Sequence, residues 1–469
     1  MNPYTSKQLF PHRKVGITLE IKASFRKLRF DPAQIIVLGF IAVILAGTFL
    51  LMLPISSVTR QPTGFIDSLF TATSATCVTG LTVVETGVHW SFFGKTVILL
   101  LIQTGGLGFM SIALLFSLIV RRRITPRERM VFAQSQSISD LSGIVKFVKF
   151  IFCGTFFFEF IGAVLLSIRF IPEFGIINGF FKSIFHSVSA FCNAGFDTIG
   201  KYNSLSDYVA DPLVSLVICA LIIIGGLGFI VWRDLFLYFK KRQNLSFYSK
   251  IVLLMTVSML AGGTVLIFIF ECENPNFSSY SIPTLLLASF FQSTVTRTAG
   301  FFSINLAEMS SPSVAVSMLL MFIGGASGST AGGIKVATLA VVIIAVISIM
   351  KGKNNFEIFH RRISLNNTLR AMGILALAFT VVTAFTFLIC LIQPEFTFTQ
   401  VLYEVISAFA TVGQTLGITT ELNAVSKLLI SLLMYFGRVG IITFTYAVLF
   451  KQSKSENLIS YPEANVLLG

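Results

Sequence analysis

Thr76-Cys77-Val78-Thr79-Gly80-Leu81 closes a run of about fifteen apolar and small residues, Phe65–Thr79, that is too short to cross a bilayer as a helix. Longer apolar runs, Ile35–Leu53 and Thr96–Val120, flank it. That order reads as a re-entrant segment: a half-helix enters the membrane and an extended strand returns. The order occurs three more times. Phe180–Ala194 ends in Phe191-Cys192-Asn193-Ala194-Gly195-Phe196, Pro283–Thr298 in Thr296-Arg297-Thr298-Ala299-Gly300-Phe301, and Phe398–Val412 in Ala410-Thr411-Val412-Gly413-Gln414. The four glycines are 115, 105 and 113 residues apart, and a hydroxyl residue stands six before each: Ser74, Ser189, Thr294 and Ser407. A second glycine group follows in the next apolar run: Gly105-Gly106-Leu107-Gly108, Gly225-Gly226-Leu227-Gly228, Gly324-Gly325-Ala326-Ser327 and Gly437-Arg438-Val439-Gly440. Shared order, spacing and landmarks indicate an internal four-fold repeat.

The remaining candidate spans are Phe150–Ile168, Leu213–Trp232, Ile251–Phe270, Ala371–Ile392 and Leu428–Phe450. Val314–Met350 differs. Its 37 residues would make a helix of about 55 Å, against a hydrocarbon core of about 30 Å. Its middle, Gly324 through Gly333, has poor helix propensity, so two half-helices joined by a non-helical loop are expected. Backbone of that kind is tolerated at membrane depth only where it lines a cavity or is buried in protein. The reading is an all-α integral membrane protein of eight transmembrane helices and four re-entrant segments. Its repeats are 31–123, 124–240, 241–350 and 351–452, between a basic N-terminus, 1–30, and a C-terminus, 453–469.

Composition agrees. Of 469 residues, 54% are hydrophobic and 12% charged, about half the charge of a soluble domain. The net charge of +14 is distributed by topology. Alternate connecting segments carry 26 Lys/Arg with 8 Asp/Glu, whereas the opposite ones carry 6 Lys/Arg with 12 Asp/Glu. The positive-inside rule therefore places both termini in the cytoplasm, with the basic loops 121–150, 233–250 and 351–370. The charge is not a nucleic-acid patch, and the acidic outer face would mildly concentrate cations. No signal peptide is evident, and the six scattered cysteines suggest neither a zinc site nor a disulfide framework. The chain has no Walker A or dinucleotide fingerprint, so no nucleotide is expected on it. Gly325-Ala326-Ser327-Gly328 resembles the nucleophile motif of rhomboid proteases, but no histidine in a later span could serve as base, so no enzyme is expected.

Four covalently linked copies around one axis point to a pore on that axis. There, backbone carbonyls offset the cost of dehydrating a cation, and the carbonyl ends of the half-helices favour positive charge. The expected filter comprises Thr76, Cys77, Val78, Thr79 and Gly80; Cys192, Asn193, Ala194 and Gly195; Thr298, Ala299 and Gly300; and Thr411, Val412 and Gly413. Close helix packing would also use glycine, but four glycines at equivalent places favour the filter. The expected gate is the loop of Gly324, Gly325, Ala326, Ser327, Gly328, Ser329, Thr330, Ala331, Gly332 and Gly333. Lys335 follows it, either neutralising loop carbonyls or snorkelling to the cytoplasmic side. Mid-span Arg438 needs carbonyl, carboxylate or water partners, and acts as a charge barrier or as a strut for the loop. Intramembrane Glu159 is read as a structural hydrogen-bonding group, Cys77 and Cys192 as packing residues. Arg297 is expected to point away from the pore and tie its segment to the outer acidic surface. Gln414 breaks the apolar pattern set by Leu81, Phe196 and Phe301, with no evident reason.

These segments, with Tyr435-Phe436-Gly437-Arg438-Val439-Gly440-Ile441, resemble the Trk/Ktr/HKT superfamily of potassium transporters. The resemblance runs from about residue 30 to Tyr461-Pro462-Glu463 and is nearest to the bacterial Ktr membrane subunit (KtrB), since residues 1–30 cannot supply the two extra N-terminal spans of the Trk branch. It implies potassium bound at the carbonyls of a filter containing Gly80, Gly195, Gly300 and Gly413, with Gly80 rather than serine implying potassium over sodium. It also implies that the 324–333 loop gates the pore with Arg438 beside it. It further implies potassium uptake across the cytoplasmic membrane by a homodimer docked on an RCK-type, nucleotide-binding cytoplasmic ring (KtrA-like), with sodium as an activator. By the same analogy, Val466–Gly469 would lie at the dimer contact. The rival readings are a cation antiporter or a less selective sodium/potassium channel.

Overall fold

The computed structural model describes residues 31–440, apart from 121–123, 137–142, 201–202 and 354, together with 443 and 444. The expected termini 1–30 and 453–469, the Val466–Gly469 contact and most of Leu428–Phe450 beyond Gly440 lie outside the described residues.

Among the described residues, four helices, Pro32–Met52, Ile144–Phe174, Phe247–Glu271 and Leu365–Ile392, are long and apolar enough to cross a membrane. Two bent pairs raise that number to six if each counts as one span. Polar side chains or proline start most helices at the expected places. Asp211 accepts from the Leu213 and Val214 amides, Ser281 from Thr284, Thr397 from Gln400, and Asn423 from Ser426.

Each long helix is followed by a short one: Phe65–Cys77, Ile176–Phe191, Ile282–Val295 and Phe398–Ala410. These fall where the re-entrant segments were expected. Each stops three to five residues before its glycine, and residues two before that glycine (Val78, Asn193, Thr298 and Thr411) take positive φ. After the first and fourth short helices such a residue closes the last turn directly, with Thr79 N bonded to Ser74 O and Val412 N to Ser407 O, each at 2.8 Å.

In the first two groups the helix after the return segment departs from expectation. Thr96–Val120 and Leu213–Trp232 were read as single spans. They are the pairs Phe92–Leu107 with Phe109–Ile119, bent by 98°, and Pro212–Gly226 with Phe229–Lys241, bent by 99°. The bends fall at Gly108 and Gly228, whose φ of +80° and +89° end one helix and begin the next. The fourth member, Ala424–Val439, ends at Gly440 with φ +87°. The third is interrupted as expected, Ser311–Phe322 and Val336–Met350 being separated by the glycine-rich loop. A two-stranded hairpin, Phe356–Ile358 with Arg361–Ile363, lies between Val336–Met350 and Leu365–Ile392.

Burial is arranged as a membrane dictates. The long helices expose large apolar side chains, among them Phe49, Phe160, Val257 and Phe379. The short helices and return segments are buried and rich in hydroxyls, including Ser68, Thr71, Ser74, Ser187, Ser293 and Ser407. Apolar rim and polar centre invert the soluble pattern and fit a multi-pass membrane protein.

Candidate functional site

The four return segments meet in a closed ring. A methyl group built on Gly195 would lie 2.6 Å from the Ala299 carbonyl oxygen and 2.7 Å from the Gly300 Cα. One on Gly300 would lie 2.5 Å from the Val412 oxygen, and one on Gly413 would lie 2.9 Å from the Gly80 Cα and run into the Thr79 oxygen. One on Gly80 would run into the Ala194 oxygen. Each glycine therefore abuts the next segment in chain order, and the last abuts the first. The four carbonyls met in this way, Thr79, Ala194, Ala299 and Val412, are equivalent, each one residue before its glycine. The opening is narrow: a Gly300 methyl would also sit 3.2 Å from the Thr79 oxygen across the ring. All four glycines have φ between +68° and +98°. Left-handed residues at alternate positions turn successive carbonyls to one side of the chain rather than to alternate faces.

Behind the ring, the short helices end against the broken helices. A Cβ on Gly105, Gly225 or Gly437 would run into the carbonyl oxygen of Thr76, Phe191 or Phe409. Those residues stand four before Gly80, Gly195 and Gly413, so three of the four groups pack in the same way. The hydroxyl landmarks split. Ser74 and Ser407 accept from the amides of Gly80 and Gly413 at 3.0 Å. Ser189 donates to the Phe196 carbonyl and Thr294 to that of Phe290, both at 2.8 Å.

The glycine-rich loop packs against these segments. Gly332 meets the Thr411 side chain, and Gly324 stands near that of Thr298. Thr330 Oγ1 bonds to the Phe191 carbonyl (3.2 Å) and the Asn193 side-chain oxygen (3.3 Å). The loop's ends are stitched by Gly324 N to Ile334 O (2.8 Å) and Val336 N to Gly325 O (3.1 Å). It is tied to the broken second-group helix by Ala326 N to Gly226 O (3.0 Å) and Phe229 N to Gly328 O (2.8 Å). Lys335 Nζ donates to the Ala331 and Gly332 carbonyls at 2.8 and 3.3 Å, the first of its two expected roles. Arg438 donates to the carbonyls of Thr330, Gly105 and Gly106, which gives it the geometry of a strut between loop and first-group helix. Both basic residues line a cavity of about 350 Å³, together with Gln136 and Phe409.

The structure brings Thr79, Gly80, Ala194, Gly195, Ala299, Gly300, Val412 and Gly413 into the ring. Three other expected positions make contacts outside it. The Thr76 carbonyl faces Gly105, and Cys192 Sγ points toward Gln103 Oε1 (3.6 Å) and Glu159 (3.9 Å). The Asn193 amide bonds the Arg297 carbonyl and the Thr298 hydroxyl, each at 3.4 Å. Arg297 does not reach the acidic outer surface. Its guanidinium donates to Thr256 within the third long helix at 3.3 Å. Sequence reasoning missed Gln292, which pairs with Gln414, and Gln136, whose carbonyl lies 2.8 Å from where a Gly328 Cβ would be. The only signal for the first was an amide in an apolar run.

A family model described as "Cation transport protein" (TrkH) matches residues 19–461. The chain is 42% identical to the potassium/sodium uptake protein NtpJ of Enterococcus hirae, over 96% of this chain and 99% of that protein. It is 40% identical to the Ktr system potassium uptake protein B of Bacillus subtilis, over 97% of this chain and all of that protein. The crystal structure of the potassium transporter TrkH from Vibrio parahaemolyticus superposes with a TM-score of 0.71 at 19% identity, covering 90% of this chain and 86% of that one. A chain matched over nearly its whole length by this model and these relatives, with the same fold as a solved transporter, belongs to the TrkH family of cation transport proteins.

Proposed function

We propose that this chain is the ion-translocating subunit of a potassium uptake system in the cytoplasmic membrane. The observation that carries the reading is the closed ring of Gly80, Gly195, Gly300 and Gly413 with four equivalent carbonyls against it. In this reading the four helix groups are the repeats 31–123, 124–240, 241–350 and 351–452, giving eight spans around a pseudo-four-fold pore. Potassium sheds water as the ring carbonyls replace its hydration shell. The membrane potential, about 2.3 kcal/mol per charge per 100 mV, drives it inward. The 324–333 loop, held by Lys335 and Arg438, blocks the path beneath the ring until it moves. A cytoplasmic partner of the RCK type moves it, and two copies of the chain share that partner. The name of the Bacillus subtilis relative, a component of a Ktr system, supports such a partner. Both termini lie in the cytoplasm.

The name of the Enterococcus hirae relative, potassium/sodium uptake, favours a second reading in which sodium is also carried. One experiment tests both. Rubidium uptake into proteoliposomes, competed by potassium or by sodium, is compared for wild type and Gly80→Ser. Strong competition by potassium alone, weakened in the variant, supports a potassium filter at the ring. Equal competition by both ions supports the less selective channel. Uptake that requires a counter-gradient of protons and ignores Gly80→Ser overturns both in favour of an antiporter.

A further inference from the structure

Gln414 occupies the position just past its ring glycine, where the other segments carry Leu81, Phe196 and Phe301. It is fully buried, as is Gln292, which stands eight residues before Gly300. Ala72, Ser187 and Val405 fill the corresponding places elsewhere. The two amides bond reciprocally: Gln292 Nε2 donates to Gln414 Oε1 at 3.1 Å, and Gln414 Nε2 to Gln292 Oε1 at 3.0 Å. Gln414 Nε2 also donates to the Phe301 carbonyl at 3.0 Å, and its Oε1 accepts from the Tyr403 hydroxyl at 3.1 Å. An amide has two donors and two acceptor sites, so all four of Gln414's are used.

Three of these bonds join the third segment to the fourth, and one of the three ends on the backbone immediately after Gly300. A fully satisfied polar network in a low-dielectric interior fixes geometry more firmly than apolar packing, which tolerates sliding. The apolar alternative is compatible with this fold, since the three sister segments use it.

From this geometry we infer that the Gln292–Gln414 amide pair, seated by Tyr403, is a positioning element for ion discrimination, setting the separation of the third and fourth segments of the ring. The inference rests on the proposed function, because it assumes that the ring is where ions are sorted. The pair touches no ion. It holds the carbonyls of Ala299 and Val412 against relaxing inward around a smaller cation of the same charge.

The test uses the full chain in proteoliposomes and compares potassium with sodium as competitors of rubidium uptake. The variants are Gln414→Leu, Gln292→Leu, the double Gln292→Leu/Gln414→Leu, and Gly413→Ser. Each single change strands a buried amide and is expected to lower the yield of folded protein. The double change removes both amides, leaves only the Tyr403 hydroxyl and the Phe301 carbonyl without their partner, and is expected to restore part of that yield. Discrimination is expected to fall in all three, by roughly three- to tenfold, the equivalent of one net hydrogen bond. Wild-type discrimination in the well-folded double variant overturns the inference, because a purely structural pair would affect yield alone. If the singles do not fold, the double decides. Gly413→Ser separates the two levels. If it abolishes discrimination while the double variant keeps it, only the amide pair's role is overturned. If it leaves discrimination intact, the ring is not the filter and the proposed function falls with it.

Discussion

Thr330 Oγ1 lies 3.3 Å from the Asn193 side-chain oxygen, so the loop beneath the ring is hydrogen-bonded to a return segment of the ring itself. The same hydroxyl reaches the Phe191 carbonyl, and the Thr330 backbone carbonyl accepts from Arg438. One residue thus joins loop, ring segment and strut. Replacing Thr330 by valine keeps the shape and deletes the hydroxyl. The loop should lose about 1–2 kcal/mol of attachment, raising basal rubidium leak roughly five- to thirtyfold if the proposed gate is a two-state element. Leak from a purified, partner-free sample is the direct readout, and an unchanged rate would show that this contact does not hold the path shut.

Glycine at the ring is set by space as well as backbone. At Gly300 φ is +77°, and a methyl would meet the Val412 oxygen, the Gly195 Cα and the Thr79 oxygen. Gly300→Ala should lower uptake and weaken discrimination between potassium and sodium. Gly262 has open space around its Cα, so Gly262→Ala should leave uptake intact and add about 0.5–1 kcal/mol of helix stability. Parallel uptake assays with matched protein amounts would check the contrast.

Gly105 is constrained by a different contact. Its Cα sits directly behind the Thr76 carbonyl, with the Val78 side chain 2.9 Å from where a Cβ would be. Gly105→Ala should cost about 1–3 kcal/mol through overpacking, visible as a lower melting temperature in detergent. The displaced carbonyl lies next to the first ring segment, so uptake should fall further than the loss of folded protein explains.

Arg438 binds three carbonyls from two elements. Removing it frees the loop and also removes a fixed positive charge from the cavity. Arg438→Ala should therefore increase partner-free rubidium flux. Lys335→Met deletes two loop contacts but leaves the Arg438 strut, and should produce a smaller increase. A decrease in flux for Arg438→Ala with normal folding would show that the guanidinium assists ions rather than obstructing them.

Lys427 Nζ is 2.8 Å from Asp67 Oδ1 and links the last described helix to the start of the first short helix. Lys427→Met should cost at most about 1 kcal/mol, because both groups retain partial solvent contact and such pairs are worth little. The change in melting temperature should shrink further in high salt.

Much of this architecture was legible because membrane proteins write it in two independent codes. Apolar runs too short to span marked the four short helices, and recurring glycines fixed their register. Gly80, Gly195, Gly300 and Gly413 were readable as a set, since a positive φ and a crowded Cα both exclude other residues. The bends at Gly108 and Gly228 escape hydropathy, although Gly-Gly-Leu-Gly marks their place. Hydropathy is blind to direction, so two apolar helices at a right angle score like one straight span. Arg297 misled for a related reason: charge suggested a carboxylate partner, whereas the structure supplies Thr256. Gln414 was conspicuous, but its meaning needed Gln292, 122 residues away.

The right-angle bend at Gly228 has a mechanical consequence. The helix Phe229–Lys241 runs crosswise to the helix before it, and its first amide is bonded to Gly328 at the centre of the loop. Its far end carries Lys240 and Lys241 in the last turn. A force applied there would act through a lever arm of about 20 Å, from thirteen residues of helix at about 1.5 Å each, about a corner at Gly228 whose φ of +89° glycine adopts without strain. If the loop is the proposed gate, a push at the tip would reach it as torque through the Phe229–Gly328 hydrogen bond, without passing through the ring.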